Sequence, residues 1–194
     1  MTPASRLGYR VGVRLCCLLA GFRLLAASLI PFLAALPAAS QDETASIQRH
    51  LADLHLGDTL EDVQLIYPPA QEWPAQEERR VRVTRLRVER EAAKSFPADA
   101  QTLWLGLRRG RLVDIQLIYD ARFSRRRPAE RLAQDLALIY GEPRRSNEKF
   151  WWTDGRTVLR VFDAELPARP GSEQSVELRT SVQLIERDLF RRSD

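Results

Sequence analysis

The chain of 194 residues contains only two cysteines, Cys16 and Cys17, and both lie within its first 40 residues. Beyond residue 40 the chain therefore has no thiol for a disulfide, a thiolate metal site or a cysteine nucleophile. It also lacks the Gly-x-Ser-x-Gly motif of many hydrolases and the glycine-rich loop that binds phosphates. These absences exclude the enzyme classes that are easiest to recognise, and the sequence does not reveal a reaction.

Histidine is as scarce as cysteine, since His50 and His55 are the only two in the chain. Histidine ligands on one helix usually stand four residues apart, so that both point to the same side. A spacing of five places these two on different sides. Two histidines beside a helix end are the simpler interpretation, and we expect neither a metal ion nor another cofactor.

Acidic residues are missing from residues 1–40, which contain four arginines and an apolar run of 13 residues, Leu24 to Leu36. Small residues, Ala38 and Ser40, follow the run at the positions that a signal peptidase prefers. The run is short for a membrane span, which needs about 20 apolar residues. We therefore expect residues 1–40 to be a signal peptide that is cleaved after Ser40, with an uncleaved membrane anchor as the alternative.

The charge of the chain depends on this segment. The whole sequence has 30 Lys+Arg and 26 Asp+Glu, a net charge of +4. Removing residues 1–40 removes four arginines and no acid, which leaves 26 basic and 26 acidic residues. A protein of near-zero net charge has no overall attraction to nucleic acid. We expect a periplasmic or secreted protein that does not bind nucleic acid, is not integral to the membrane and is free to contact it.

A largely apolar sequence of five residues occurs four times in the chain. Two copies lie where a helix should end, and two lie where a strand is expected. The helix copies are 73 positions apart (67 to 140) and the strand copies 67 apart (118 to 185). The offset of 73 also aligns Leu86–Val88 with Leu159–Val161. We expect a single domain, 41–194, with two duplicated halves at 45–119 and 128–188. Chance recurrence of common apolar triplets is the alternative. The copies are Val63–Tyr67, Ile115–Tyr119, Leu136–Tyr140 and Val182–Glu186.

Apolar residues three and four positions apart predict helices. A helical stripe covers 45–54, and a second helix should begin at Asp58, in a capping box with Glu61, and stop at Pro68. A third helix should begin at Pro128 and run to Tyr140. Residues 120–127 are expected to form a basic connector before it.

Alternating apolar and polar residues predict strands. A change of phase near Thr84 and Arg85 suggests a bulge or turn in the first of them. In the last strand Ser181 and Gln183 point away from the apolar side, which predicts one covered face and one solvated face. The fold class is therefore α+β, an antiparallel sheet with short helices packed on one face. The strands are expected at 80–90, 103–107, 113–119, 150–153, 157–162 and 176–185.

Several of these stretches resemble a known family. The segment Leu56–Val63, followed by a Tyr-Pro break and a tryptophan, and the segment Leu103–Val113 resemble the SmpA/OmlA family of small outer-membrane assembly lipoproteins. The second half, with Tyr140–Pro143 and the pair Trp151-Trp152, is similar. Two such halves also resemble the tandem fold of the β-lactamase inhibitor proteins. The resemblance implies a two-layer α+β interaction module.

Three tryptophans are the candidate anchors for a partner. Trp151 and Trp152 are adjacent in a predicted strand, so their rings should point to opposite faces of the sheet. One ring would pack inward while the other is exposed, and an exposed tryptophan is a common anchor for protein partners. Trp104 belongs to the same set. The alternative is that helices cover both faces.

A run of arginines in the connector, Arg125, Arg126 and Arg127, is a second candidate binding site. With Arg108, Arg109 and Arg111 near them, they would form a patch for lipid headgroups or an acidic partner. A solvated linker is the alternative interpretation.

Together these features predict an exported, non-catalytic protein of the cell envelope. It would act as a protein-interaction or scaffolding module through the exposed face of its sheet, with an unidentified envelope protein as partner. The alternative is an exported hydrolase with paired carboxylates, which a pocket holding two convergent Asp or Glu side chains would favour.

Overall fold

The computed structural model describes residues 45–168 and 175–189. The predicted signal peptide, with both cysteines, lies outside these ranges. The described chain starts with a small hairpin of β1 (His50–Leu51) and β2 (Leu54–His55). Ala52 and Asp53 form its turn with φ values of 53° and 60°. The helix predicted over 45–54 is therefore wrong, because a stretch of ten residues is marginal as a helix and the hairpin buries Leu54 completely.

The helix α1 (Leu60–Ile66) begins one residue later than predicted, and Thr59 caps it. The Thr59 hydroxyl accepts a hydrogen bond from the Asp62 amide (3.2 Å), and the Asp62 carboxylate accepts one from the Thr59 amide (2.9 Å). The Thr59 hydroxyl in turn donates a hydrogen bond to the Asp62 carboxylate at 2.7 Å. The bonds that this carboxylate accepts from the Thr59 amide and hydroxyl lower the pKa of Asp62. Asp58, the predicted cap, instead accepts from the His55 amide at 2.7 Å.

Eight strands form one sheet in which every neighbouring pair is antiparallel, in the order β3-β4-β5-β6-β10-β9-β8-β7. This confirms the α+β class and the antiparallel sheet. A 3₁₀ turn (Arg90–Ala92) follows β4. The strands are β3 (Ala75–Glu78), β4 (Val83–Glu89), β5 (Ala100–Arg108), β6 (Arg111–Tyr119), β7 (Arg144–Ser146), β8 (Lys149–Thr153), β9 (Thr157–Pro167) and β10 (Val176–Glu186).

The change of phase in the first predicted strand has a different cause from the one expected. A turn ends at Arg82, which has a φ of 54°, and β4 then pairs regularly with β5 from Thr84 to Glu89. Val83 packs on one face of the sheet with Val81, while Leu86 and Val88 pack on the other. The apolar residues of this segment thus change from one face of the sheet to the other between Val83 and Leu86, and this change produces the shift of phase in the sequence without a bulge.

The predicted connector is a helix, α2 (Ala121–Arg126). Asp120 caps it by accepting from the Phe123 amide at 2.7 Å, and Phe123 stacks on Tyr119 with 3.8 Å between ring centroids. Ser124 accepts a hydrogen bond from the Thr180 amide at 3.0 Å. The helix is therefore fastened both to the end of β6 and to β10, which a solvated linker would not be.

The helix α3 (Ala129–Tyr140) follows Pro128, which is its N-cap and not its first residue. Gly141 ends it with a φ of 78°. Leu132 and Ala133 are buried against the sheet. Ile139, which belongs to the repeated apolar sequence Leu136–Tyr140, is 62% exposed.

The main core lies between the helices and one face of the sheet. Val63 from α1, Phe123 from α2 and Leu132 from α3 all contact it. On the sheet side, directly paired residues of the central strands fill it, and all are buried: Leu103, Leu105, Ile115, Leu117, Leu159, Val161, Val182 and Leu184. The prediction that helices cover one face is thereby confirmed.

The two halves of the sequence meet at the centre of the sheet, where β6 pairs with β10. Gln116 lies directly opposite Gln183, so the two strand copies that are 67 positions apart are paired with each other. The offset of 73, which aligns Leu86–Val88 with Leu159–Val161 in the sequence, does not pair equivalent strands in this way. Leu86 lies in β4, third from the centre, whereas Leu159 lies in β9, second from the centre. The offset of 73 therefore does not align equivalent strands of the sheet.

Replacing Thr59 with alanine should lower the free energy of unfolding by about 1 kcal/mol, because the Asp62 amide loses its acceptor. Thr59→Ser keeps the hydroxyl and should recover most of this loss. Urea unfolding of the two variants measures the difference. Equal losses in both would show that the cap does not stabilise α1.

Candidate functional site

The side of the sheet opposite the helices, here called the open face, has none of α1, α2 or α3 on it. The antiparallel register brings one residue from each of seven consecutive strands into line across this face. Neighbouring strands lie about 4.8 Å apart, so the six steps span about 29 Å. We call this line the cross-sheet row, and it consists of Arg87, Trp104, Gln116, Gln183, Arg160, Trp151 and Arg144.

A tryptophan and an arginine stand near each end of the row. The guanidinium of Arg87 lies 5.7 Å from the ring centroid of Trp104, and that of Arg144 lies 5.1 Å from that of Trp151. Both tryptophans are half-buried. Cation–π contacts of this kind hold the rings in place and leave part of each exposed on the open face.

The structure separates Trp152 from the other two tryptophans. Trp152 points to the helix side, is only 4% exposed and donates a hydrogen bond from Nε1 to the Gly141 carbonyl at 2.7 Å. Its ring lies 6.3 Å from that of Tyr140. The two rings of Trp151 and Trp152 do point to opposite faces, as expected. Trp152 is a core residue, and the role in binding expected for it is ruled out by its burial.

The arginines of α2 do not join the row. Arg126 lies 3.8 Å from Asp99, and Arg127 lies 3.6 Å from Asp135. Arg125 is exposed on the same helix. Helix α2 follows the C-terminal end of β6. Arg111 is the first residue of β6, and Arg108 and Arg109 lie shortly before it. A strand of nine residues is about 30 Å long, so the expected single patch is two separate groups of arginines.

A depression of about 320 Å³ lies in the middle of the open face. At its base the Asp114 carboxylate, only 3% exposed, accepts a hydrogen bond from Gln183 Nε2 at 2.8 Å. Arg85 lies 3.3 Å from Asp114 and 2.9 Å from Glu78, forming ion pairs with both. Burial raises the pKa of Asp114, while Arg85 and the Gln183 bond act in the opposite direction.

The polar residues of β10 on this face are more buried than the alternating pattern predicted. Ser181 and Gln183 are both buried, although α1, α2 and α3 lie on the other side of the sheet, and Leu189 from the helical residues 187–189 lines the same depression as Gln183. Gln116 donates to the Ser181 hydroxyl at 3.1 Å, and Ser181 donates to the Leu117 carbonyl at 3.1 Å. Each buried polar group thus has a partner, which is what its burial requires. The prediction of a fully solvated second face is wrong at its centre.

Sequence reasoning missed Asp114, Arg85 and Gly106, which face one another on three adjacent strands. A Cβ atom at position 106 would lie 2.8 Å from the Asp114 Cβ and 3.1 Å from a Val83 methyl. Gly106 therefore leaves the room that the Asp114 side chain occupies. A glycine inside an apolar strand was the available signal, since it often marks a close approach of neighbouring groups.

His50 and His55 pair across the small hairpin, with 5.5 Å between their ring centroids. Within residues 45–168 and 175–189, no three His, Cys, Asp or Glu side chains are grouped so that they could hold a metal ion. In the same ranges no helix combines the length and the apolar character that a bilayer crossing requires.

Compared with known proteins, the chain matches no family model, no curated protein and no solved structure.

Replacing Asp114 with asparagine should make the free energy of unfolding depend less on pH. The folded state raises the pKa of Asp114 above its unfolded value of 3.8, so it favours the protonated carboxyl. The stability that this group contributes is present below the unfolded pKa and is lost as the pH rises through the folded pKa. The difference in free energy of unfolding between Asp114→Asn and the native protein should therefore shift toward the variant as the pH rises above about 4 in urea unfolding.

Glu165→Gln, an exposed carboxylate on β9, is the control for removing one negative charge. If the difference in free energy of unfolding between the native protein and Asp114→Asn were the same at every pH, the assigned direction of the pKa shift would be contradicted.

Proposed function

We propose that this protein is exported to the periplasm or beyond and acts as a non-catalytic interaction module of the cell envelope. In this proposal residues 1–40 are removed and a partner protein binds the open face. The observation that carries the proposal is the cross-sheet row, with a partly exposed tryptophan near each end and arginines beside them. Tryptophan and arginine are the residues most enriched among those that dominate binding energy in protein interfaces.

The dimensions of the row support a protein partner. A standard interface covers about 800 Å² of each partner, which corresponds to a round patch about 32 Å across. The row is about 29 Å long on the same estimate of strand spacing. A partner that covers it from Trp104 to Trp151 would also cover the central depression. Buried polar groups there already have partners, so binding does not have to satisfy them.

A tandem origin of the sheet forms part of the proposal. Counting outward from the centre, β6, β5, β4 and β3 mirror β10, β9, β8 and β7. Each group of four strands follows a helix, α1 or α3, whose C-terminal end carries a Leu-Ile-Tyr sequence. Leu65 and Leu138, equivalent positions in those phrases, are both strongly exposed. These correspondences favour duplication over chance recurrence.

The resemblance of the sequence motifs to SmpA/OmlA lipoproteins and to the tandem β-lactamase inhibitor proteins implies a two-layer α+β interaction module, and this implication forms part of the proposal. In the described residues α1, α2 and α3 lie on one face of the sheet and leave the open face for a partner.

One observation favours the alternative, a hydrolase with paired carboxylates: Glu78 and Asp114 line the same depression. Arg85 stands between them and forms an ion pair with each. Burial raises the pKa of Asp114, which suits a general acid, and Arg85 acts in the opposite direction. Because Arg85 stands between the two carboxylates and forms an ion pair with each, they do not converge on one substrate atom, and we propose the structural pairing over acid–base catalysis.

Affinity capture from an envelope extract tests the proposal. The full chain should retain a specific protein, and Trp104→Ala and Trp151→Ala should each weaken the binding of that protein about tenfold or more. Leu138→Ala is the matched control, because it removes a side chain that is 89% exposed on the helix side of the molecule.

Thermal unfolding of each variant separates a loss of binding from a loss of folding. Capture that is unchanged in both tryptophan variants, or lost equally in Leu138→Ala, would contradict the proposal that the open face is the binding surface.

A further inference from the structure

A second depression, of about 550 Å³, lies at the end of the sheet where β4 begins and β5 ends. Four arginines line it together with a single carboxylate, Asp188, and Val81: the arginines are Arg80, Arg82, Arg108 and Arg109. Val81 is buried in a small apolar cluster with Val83. The depression therefore has a basic rim beside an apolar side chain that is fixed in the fold.

Two of these arginines occupy backbone conformations that arginine rarely adopts. Arg82, in the turn before β4, has a φ of 54°, and Arg109, in the turn after β5, has a φ of 55°. Asparagine, aspartate and glycine tolerate this region much better. Backbone strain of this kind is often found at functional sites. Here both strained positions carry a guanidinium, and both line one depression.

The pairing of β4 with β5 explains why the two arginines lie together. Thr84 is opposite Leu107 in the last residue pair of this ladder before the turns. Arg82 and Arg109 each lie two residues beyond that pair, at the ends of two neighbouring strands. The two arginines therefore lie side by side. Neighbouring strands are about 4.8 Å apart, which places two positive charges within reach of one ligand.

The charge of Arg108, another arginine of the lining, is already paired. Arg108 lies 3.0 Å from Glu186 and 2.9 Å from Asp188 and forms ion pairs with both. Among the described residues, neither Arg82 nor Arg109 has a hydrogen bond or an ion pair. Their charges are therefore available for a ligand, while Arg108 and its two carboxylates form a fixed wall.

We propose that this depression binds a phosphate-bearing ligand, with Arg82 and Arg109 contacting the phosphate oxygens. Each planar guanidinium offers two parallel donors that match two oxygens of a phosphate. The volume falls in the range of about 300–1,000 Å³ that is typical of small-ligand sites, which favours a single phosphate group over an extended acidic peptide. The proposal is independent of the function assigned to the open face, because Trp104 and Trp151 take no part in it.

The variant Arg82→Asn, Arg109→Asn tests the site without disturbing the fold. Asparagine suits the left-handed conformation, so the melting temperature should stay the same or rise. Binding should fall at least about tenfold with the loss of two charge-assisted contacts. Arg131→Gln, Arg145→Gln is the matched control, since it removes the same charge from exposed positions on α3 and β7 that do not line the depression.

Three probes are used with the full chain at low salt. Inorganic pyrophosphate is titrated by calorimetry, vesicles with and without an anionic phospholipid are sedimented with the protein, and a polyglutamate peptide is titrated as a non-phosphate polyanion. Binding of pyrophosphate identifies a soluble phosphate ligand, and binding of anionic vesicles alone identifies a lipid headgroup. Either result supports the proposal if the asparagine variant no longer binds the probe and the control variant still does.

Two results would overturn the proposal. One is that neither phosphate probe binds, in which case binding of polyglutamate alone would assign the depression to an acidic protein segment. The other is that the control variant loses as much binding as the asparagine variant.

Discussion

The pairing of β6 with β10 is the contact on which the rest of the structure depends. These strands come from opposite halves of the chain, and five residue pairs hold them in register, from Ser181–Ile118 to Ile185–Asp114. Each strand carries three others on its outer side, so this single ladder joins two four-stranded sheets into one of eight. The same register places Gln116 opposite Gln183 and thereby aligns Trp104 and Trp151 in one row across the open face.

The register of that ladder is fixed by what each face of the sheet can accept. A slip of one residue would turn every side chain of β10 to the other face. Gln183 and Ser181 would then enter the apolar core, and Val182 and Leu184 would leave it. On the open face, Asp114 is buried on the side away from α1, α2 and α3, where Gln183 and Arg85 contact its carboxyl group. These polar contacts hold the side chains at the centre of this face in place.

The sequence predicted the parts of the fold that depend on local signals. Strand alternation after residue 100 and the turn at Gly110 were sufficient for β5 and β6, and neighbouring positions sufficed to place Trp151 and Trp152 on opposite faces. The hairpin at 50–55 was missed because its two leucines lie on one side both in a helix and in a tight turn. The cluster around Asp114 was missed because its members come from separate strands, and only the register brings them together.

Crosslinking across the central ladder tests the account most directly. In a background with Cys16→Ser and Cys17→Ser, the pair Gln116→Cys, Gln183→Cys would place two thiols on directly opposed residues, whose Cα atoms lie about 4.5–5.5 Å apart. We predict an intramolecular disulfide in the folded monomer, detected by peptide mapping. The pair Trp104→Cys, Gln183→Cys, two strands and about 10 Å apart, should stay reduced. A folded Gln116→Cys, Gln183→Cys variant that remains reduced under the same oxidation would contradict the joining of the two halves through β6 and β10.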